Sequence, residues 1–201
     1  ISGGAGNDNI IIGANLDLTD TIDGGTGTDT LTIGANITST SVIGGVSNME
    51  VIKPAAGEDI TTNGALGGAT TFDFSNDAKN ELTLNTGWTA DTTITFGAAA
   101  DGDGNDDKIT NNTSAKLTVN AIDADLDSTL TVVGGLGTTD QLNVTAAGGT
   151  AVFANVTGVE TIKVVDSVTA GTDIAITPNA TTAILQTYDA SALDGSVQND
   201  E

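Results

Sequence analysis

Two nine-residue segments rich in glycine and aspartate constrain the fold of this chain most strongly. Residues 3–11 and 24–32 both follow the pattern G-G-x-G-x-D-x-U-x, in which U is a large apolar residue. Glycine permits the positive φ angles of a tight turn, the aspartate brings a carboxylate to that turn, and the apolar residue begins an inward-facing strand. Two such turns, stacked one above the other, supply the roughly six to eight oxygen ligands that calcium prefers.

The predicted calcium site of these segments combines side-chain and main-chain oxygens. Its predicted carboxylate ligands are those of Asp8, Asp20, Asp23 and Asp29, and its turn residues are Gly3, Ala5, Gly24 and Thr26. In a regular roll two nonapeptides form one turn of about 18 residues, whereas Asp8 and Asp29 are 21 residues apart. The spacing therefore predicts a short, irregular roll of one turn at most. The alternative is that both segments are turns between strands without a bound ion.

Two later acidic segments are variants of the same pattern. Residues 102–109 and 135–142 share the frame G-x-G-x-x-D-x-U. The first also opens like an EF-hand loop, but Asp106 stands where that loop requires glycine and Asn112 where it requires glutamate. The candidate calcium ligands are Asp101, Asp103, Asn105 and Asp107 in the first segment and Asp140 in the second. A solvated acidic turn is the alternative in both.

The charge and the missing residue types exclude several functions. The chain has 27 acidic and 5 basic residues, a formal net charge of −22, no histidine and no cysteine. Because so acidic a surface repels phosphate and anionic lipid, we expect no binding to nucleic acid or to a membrane surface. No stretch approaches the roughly 20 apolar residues of a spanning helix, so we expect no membrane insertion. Without histidine and cysteine, no Ser-His-Asp or Cys-His triad and no zinc site of the usual kind can form. The natural partners of such a surface are cations.

Short segments with apolar residues two positions apart recur along the whole chain, as in residues 30–33, 93–96 and 162–165. This is the period of a half-buried strand. Breaks rich in glycine, aspartate and asparagine separate the segments. Many short, regularly spaced strands predict an all-β chain folded as a solenoid, a roll or a sandwich.

A longer internal repeat is also present. Residues 24–28 reappear as residues 134–138, and residues 46–53 reappear as residues 156–163, in both cases 110 residues later. The chain therefore contains almost two copies of a unit of about 110 residues.

The repeat predicts three segments. They are a short roll-like segment at residues 1–33, a first strand-rich unit at residues 34–133 and a second, truncated unit at residues 134–201. Because stacked repeats need neighbours to cover their ends, and because Ile1 lies just before a glycine motif, we expect the chain to be part of a longer protein.

The nonapeptides, the phrase at residues 155–162 and the segment at residues 189–195 resemble the repeat-containing part of bacterial surface-layer proteins. More broadly, they resemble the repeats-in-toxin (RTX) proteins exported by type I secretion. The resemblance implies a calcium-stabilised, right-handed parallel β-solenoid with irregular turns, exported unfolded and folded outside the cell. It implies Ca²⁺ as the cofactor and copies of the same chain, in a lattice at the cell surface, as partners. Cell-surface polysaccharide is a further candidate partner.

The sequence thus favours a structural, self-assembling segment of a secreted surface-layer protein, and no enzymatic activity. A calcium-stiffened stalk of an RTX adhesin or biofilm-matrix protein is the alternative within the same resemblance. The enzymatic alternative is a polysaccharide-cleaving parallel β-helix with catalytic carboxylates. Such an enzyme is expected to use a basic residue and aromatic sugar platforms, whereas the chain has no arginine and only six aromatic residues.

Overall fold

Short parallel strands form nearly all of the regular structure. A computed structural model describes residues 1–14, 16–17, 19–38, 44–62, 64, 66–75, 79–97, 107–127, 129–146, 150–166, 175–177 and 185–188. The strands in these ranges are β1 (Ser2–Ala5), β2 (Asn9–Ile12), β3 (Ile22–Thr26), β4 (Thr30–Ile33), β5 (Val46–Ser47), β6 (Val51–Pro54), β7 (Asp59–Thr62), β8 (Thr71–Phe74), β9 (Glu81–Leu84), β10 (Thr92–Phe96), β11 (Lys108–Asn111), β12 (Leu117–Ile122), β13 (Thr131–Val133), β14 (Gln141–Ala146), β15 (Thr150–Val152), β16 (Val156–Thr157), β17 (Thr161–Asp166), β18 (Ala175–Thr177) and β19 (Leu185–Tyr188). The one helical element of the described residues is a 3₁₀ turn at Asp123–Asp125.

The strands wind into a β-solenoid. One sheet of nine strands has the order β2-β4-β6-β8-β10-β12-β14-β17-β19, and a second sheet has the order β7-β9-β11-β13-β16. Two smaller sheets, β1-β3-β5 and β15-β18, complete the arrangement. The chain returns to the nine-stranded sheet once per coil, so that Thr30 pairs with Val51 and Thr118 with Gln141. The prediction of an all-β, parallel solenoid is confirmed.

Alternation of apolar and polar residues decides which side of each strand faces the interior. In β4 and β9 the burial alternates residue by residue, with leucine or isoleucine inside and threonine or glutamate outside. The strand register stacks one inward residue of each coil on the next. This central column consists of Ile10, Leu31, Ile52, Phe72, Ile94, Val119, Leu142 and Ile162.

Aromatic residues fill the interior beside β8 and β10, in the middle of the nine-stranded sheet. The rings of Phe72 and Trp88 have centroids 6.0 Å apart, and those of Phe74 and Phe96 are also 6.0 Å apart. Trp88 is 2% exposed, and its indole N–H donates to the carbonyl oxygen of Ala90 and to Thr92 Oγ1. These hydrogen bonds satisfy the polar atom of a buried ring.

The 110-residue repeat corresponds to five coils of the solenoid. Strand β4 begins at Thr30 and β14 at Gln141, five steps further along the nine-stranded sheet. Strands β5 and β16, which are 110 residues apart, have the same length and burial pattern. The division into residues 1–33, 34–133 and 134–201 stays a prediction, and the segment at residues 189–195 lies outside the described residues.

We expect truncation of an inward residue to destabilise the solenoid far more than truncation of an outward one. Ile52 is fully buried, whereas Ile11 is 69% exposed. Replacing Ile52 by alanine should lower the free energy of unfolding by about 2–5 kcal/mol, and Ile11→Ala by less than about 0.5 kcal/mol. Urea denaturation followed by circular dichroism measures both. Equal effects of the two variants would contradict the strand orientation.

Candidate functional site

At the start of the nine-stranded sheet's strands, one residue of each coil stacks on the next at the same corner. By the strand register from β2 to β17, this corner column consists of Asp8, Asp29, Glu50, Thr70, Thr92, Leu117, Asp140 and Glu160. Five of its eight members are acidic. The column contains two of the predicted calcium ligands of the nonapeptides, Asp8 and Asp29, and the predicted ligand Asp140.

Carboxylates of the column bind main-chain N–H groups of neighbouring coils. Asp29 Oδ1 accepts a hydrogen bond from the Asp8 N–H at 2.8 Å, and Glu50 Oε2 accepts one from the Asp29 N–H at 2.7 Å. One residue outside the column, Asp91 Oδ1 accepts the N–H of Lys116 at 3.0 Å. Hydrogen bonds from a neutral donor to a carboxylate are stronger than those between neutral groups. The column therefore ties successive coils together.

The corners that precede β14 and β17 reproduce this arrangement. Glu160 Oε2 accepts the N–H of Asp140 at 2.8 Å, as Glu50 does for Asp29. This shared geometry explains why residues 46–53 and 156–163 resemble each other. Each segment contains a glutamate whose carboxylate accepts the N–H of an aspartate in the preceding coil. The sequence alone does not reveal this role of Glu50 and Glu160, because alternation along one strand carries no information about a partner 20 residues away.

The two kinds of glycine-aspartate corner differ in how the second carboxylate oxygen is satisfied. Asp140 is fully buried, and its Oδ1 and Oδ2 accept the N–H groups of Leu117 and Gly135 at 2.7 and 2.5 Å. At the nonapeptide corners, Oδ2 of Asp8 and of Asp29 is buried without a hydrogen-bond partner. The carboxylate of Asp140 is therefore satisfied by the protein alone, and those of Asp8 and Asp29 are not.

Glycine conformation accounts for this difference. Gly25, the second glycine of its nonapeptide, has φ 103° and lies four residues before Asp29. Gly135 is outside the positive-φ region and lies five residues before Asp140. The longer turn and the ordinary backbone angle let the Gly135 N–H reach the carboxylate.

The oxygen atoms at the nonapeptide corners fit the donor chemistry of calcium. A β-carbon added to Gly24 would lie 2.7 Å from Asp29 Oδ2 and would collide with the carbonyl oxygen of Asn48. A β-carbon added to Gly3 would lie 2.7 Å from Asp8 Oδ2 and 2.5 Å from the carbonyl oxygen of Gly24. A carboxylate oxygen and a main-chain oxygen thus converge at each corner, and calcium binds oxygen ligands of both kinds. The glycines leave the space that this convergence needs.

The other predicted ligands make hydrogen bonds of their own. Asp20 Oδ2 accepts the N–H of Asp17 at 2.9 Å, and Asp23 Oδ1 accepts from the side-chain amide of Asn48 at 2.7 Å. Ala5 and Thr26 are paired in β1 and β3, and the Thr26 carbonyl oxygen accepts the N–H of Gly6. Asp20 and Asp23 therefore support the local turns in this structure.

The EF-hand-like segment is described only at its end. Asp101, Asp103 and Asn105 lie outside the described residues. Asp107 is buried, and its Oδ1 accepts the N–H of Asn80 at 2.5 Å, which caps a neighbouring coil as the corner column does. Within the described ranges, no group of three or more acidic side chains is arranged to hold a metal ion.

A second acidic turn was missed by sequence reasoning. Asp123 and Asp125 are buried in the 3₁₀ turn that follows β12, and Asp127 follows at the next alternate position. Asp125 Oδ2 accepts the N–H of Ile122 at 2.8 Å, and Asp127 Oδ1 accepts the N–H of Thr129 at 2.6 Å. The alternate spacing of the three aspartates is the signal that could have marked this turn.

An ion pair lies on the outer face of the nine-stranded sheet. The Lys53 ammonium is 2.9 Å from Asp73 Oδ2 and also donates to Ser75 Oγ at 2.7 Å. Partial burial by itself raises the pKa of Asp73, but the hydrogen bonds of Ser75 and Lys53 and the charge of Lys53 outweigh it and hold that pKa below its ordinary value. Both side chains are about one third exposed, so the pair contributes little stability.

In comparisons with known proteins, no family model, no curated protein and no solved structure matches this chain. The fold is a parallel β-solenoid, which is typical of structural and binding proteins. Among the described residues there is no helix with the length and apolar character to cross a bilayer.

We expect Asp140 to be essential to its corner because both of its oxygens accept main-chain N–H groups. Asp140→Asn places an amide donor against one of these N–H groups and should lower the free energy of unfolding by about 1–3 kcal/mol. Asp59→Asn is the matched control, since Asp59 is exposed and the change in charge is the same. Urea denaturation without calcium measures both variants. An unchanged midpoint for Asp140→Asn would contradict the capping role.

Proposed function

We propose that this chain is a calcium-stabilised, structural segment of a secreted bacterial surface-layer protein that assembles with copies of itself. The observation that carries the proposal is the buried Oδ2 atom of Asp29, which has no hydrogen-bond partner although the residue is fully buried. Burial of an ionised carboxylate with an unsatisfied oxygen costs several kcal/mol unless a cation accompanies it. Calcium is the cation whose ligand preferences the nonapeptide corners match.

The charges along the corner column support a cation at its N-terminal end. Asp8, Asp29 and Glu50 follow one another on three successive coils, and no lysine pairs with any of them in the described part of the chain. Neighbouring strands are about 4.8 Å apart. Two unit charges at such a distance repel each other by about 1 kcal/mol in water and about 3 kcal/mol at an effective dielectric constant of 20. A divalent ion would convert this repulsion into attraction.

The residues that would hold the ion are Asp8 and Asp29, with the main-chain oxygens of Gly24 and Asn48 beside them. When bound, calcium would supply positive charge and link the first coils of the solenoid. The chain itself aligns the Asp29 carboxylate, which accepts the Asp8 N–H, and the neighbouring Glu50 carboxylate, which accepts the Asp29 N–H. Extracellular modules bind calcium with Kd values of about 10⁻⁴ to 10⁻³ M, so such a chain would fold after export. We therefore propose an extracellular location at the cell surface.

A scaffold function agrees with the construction of the molecule. The nine-stranded sheet extends along the described chain, and its interior is filled by stacked aliphatic and aromatic side chains. A rigid rod of this kind suits a lattice component, and we propose no catalytic role for it. A calcium-stiffened adhesin stalk would use the same rod without forming a lattice.

We expect calcium to raise the stability of the chain and Asp29→Asn to abolish that gain. At calcium concentrations of about 10 to 100 times Kd, binding to the folded state contributes about 1.4–2.7 kcal/mol, or about 3–10 °C in Tm for a domain of this size. In Asp29→Asn, Oδ1 still accepts the Asp8 N–H but the buried charge is gone. The variant should therefore be at least as stable as the native chain in chelator. Differential scanning calorimetry with and without calcium measures both effects.

The control is Asp140→Asn, which alters a corner whose carboxylate is already satisfied. It should be destabilised in chelator but keep the full calcium-dependent gain. Sodium chloride at matched ionic strength separates charge screening from ion binding. If calcium raises Tm no more than sodium chloride does, or if Asp29→Asn keeps the gain, the calcium site is elsewhere or absent.

Self-assembly is tested separately from calcium binding. We expect the purified chain to form ordered two-dimensional sheets when calcium is added, visible by negative-stain electron microscopy, because calcium removes part of the repulsion between copies of a chain with net charge −22. Light scattering measures the mass of the soluble fraction. A chain that binds calcium yet stays monomeric at all protein concentrations would exclude the lattice and favour the adhesin stalk.

A further inference from the structure

A groove of about 400 Å³ crosses three successive loops at one corner of the solenoid. These loops are residues 85–91 between β9 and β10, residues 112–116 between β11 and β12, and residues 134–140 between β13 and β14. We call this feature the loop groove. Its volume lies within the range of about 300–1,000 Å³ that is typical of small-molecule sites.

The surface of the loop groove is rich in short polar side chains. Thr86, Thr89 and Ser114 contribute exposed hydroxyl groups, and Asn112 contributes an exposed amide. Asp91 adds a carboxylate, whose Oδ1 accepts the N–H of Lys116 and is thereby fixed in place. Hydroxyl, amide and carboxylate groups can together both donate and accept hydrogen bonds. The groove therefore suits a ligand that carries many hydroxyl groups.

Two apolar side chains lie against this polar surface. Leu136 is 81% exposed and stands between Gly135 and Gly137 at the margin of the groove. Its backbone position is fixed, because the Leu136 N–H donates to the Thr113 carbonyl oxygen at 2.6 Å. Trp88 forms part of the lining and is fixed by its own indole hydrogen bonds. A large apolar side chain held in solvent beside a polar groove is a candidate ligand contact.

We propose that the loop groove binds a short stretch of a neutral saccharide chain. Sugar hydroxyl groups would hydrogen-bond to the side chains of Thr86, Asn112 and Ser114, and the C–H faces of the sugar would pack against Leu136. This inference goes beyond the proposed scaffold function and depends on neither calcium nor self-assembly.

Charge and strand pairing distinguish this ligand class from two others. The lining contains a carboxylate and no lysine or arginine, and the chain has a net charge of −22, which disfavours acidic saccharides. A peptide added as an extra strand needs an open sheet edge. Every strand that borders the groove, from β9 to β14, is already paired on both sides.

The single tryptophan of the chain provides a direct measurement. We would titrate the intact chain with neutral hexasaccharides of glucose and of N-acetylglucosamine, with hexagalacturonate as the acidic comparator and a leucine-containing unstructured peptide as the other comparator. Trp88 emission and isothermal titration calorimetry report binding, at one fixed calcium concentration. We expect a saturable change in Trp88 emission with at least one neutral hexasaccharide.

Variants then locate the binding site. Thr86→Val combined with Ser114→Ala removes two exposed hydroxyl groups of the groove, and Leu136→Ala removes its apolar margin. Each should weaken binding by about tenfold, while circular dichroism and Tm stay unchanged. Thr145→Val is the control, because Thr145 is exposed on the nine-stranded sheet, away from the loops that line the groove.

Several results would overturn the inference: no binding of either neutral hexasaccharide at millimolar concentration, tighter binding of hexagalacturonate or of the peptide, or equal binding by the native chain and the groove variants. None of these results bears on the calcium proposal. The converse result is that calcium leaves Tm unchanged while the hexasaccharide binds through Thr86, Ser114 and Leu136. That result would disprove the calcium-stabilised scaffold, and the proposal of saccharide binding in the loop groove would stand.

Discussion

The hydrogen bond between a corner carboxylate and a main-chain N–H of the neighbouring coil is the interaction on which this solenoid depends. Strand ladders satisfy the backbone within each sheet, but the chain leaves the ladder at each corner and its N–H groups there need other acceptors. Glu50 and Glu160 supply such acceptors to Asp29 and Asp140, which in turn supply them to Asp8 and Leu117. The bonds are charge-assisted and lie between residues about one coil apart, so they fix the register of stacking as well as adding stability.

This constraint also explains why the sequence repeats over two different lengths. The coil of about 20 to 25 residues is set by the strand pairing, as between Thr30 and Val51 or Thr92 and Leu117. The longer repeat of 110 residues brings back the same glutamate-capped corner after five coils. Between these corners the column contains Thr70, Thr92 and Leu117, which carry no carboxylate. The shorter period thus reflects the geometry of the sheet, and the longer one reflects the return of the glutamate–main-chain hydrogen bond at the corner column.

The fold could be predicted from the sequence because its causes are local. Alternation in residues 30–33 or 93–96 fixes which side chains enter the interior, and the glycine-rich breaks mark the turns. The contacts of the corners could not be predicted in the same way. Whether Asp140 is satisfied depends on the backbone angle of Gly135 and on Leu117, which lies 23 residues away. The loop groove was missed for a related reason, since its lining comes from three loops that only the coil register brings together.

The same motif therefore has two physical outcomes in one chain. At Asp140 a five-residue separation from Gly135 gives a carboxylate with two main-chain donors, and the column member on the preceding coil is the uncharged Leu117. At Asp29 the four-residue separation and the positive φ of Gly25 leave one oxygen without a donor, between two other acidic corners. One additional residue in the turn and the backbone angle of one glycine thus distinguish the two corners. At Asp140 the protein satisfies both carboxylate oxygens, whereas at Asp29 one oxygen remains for an external cation. Any dependence on calcium would accordingly be concentrated in the first coils, while the middle of the solenoid is held by its own main-chain donors.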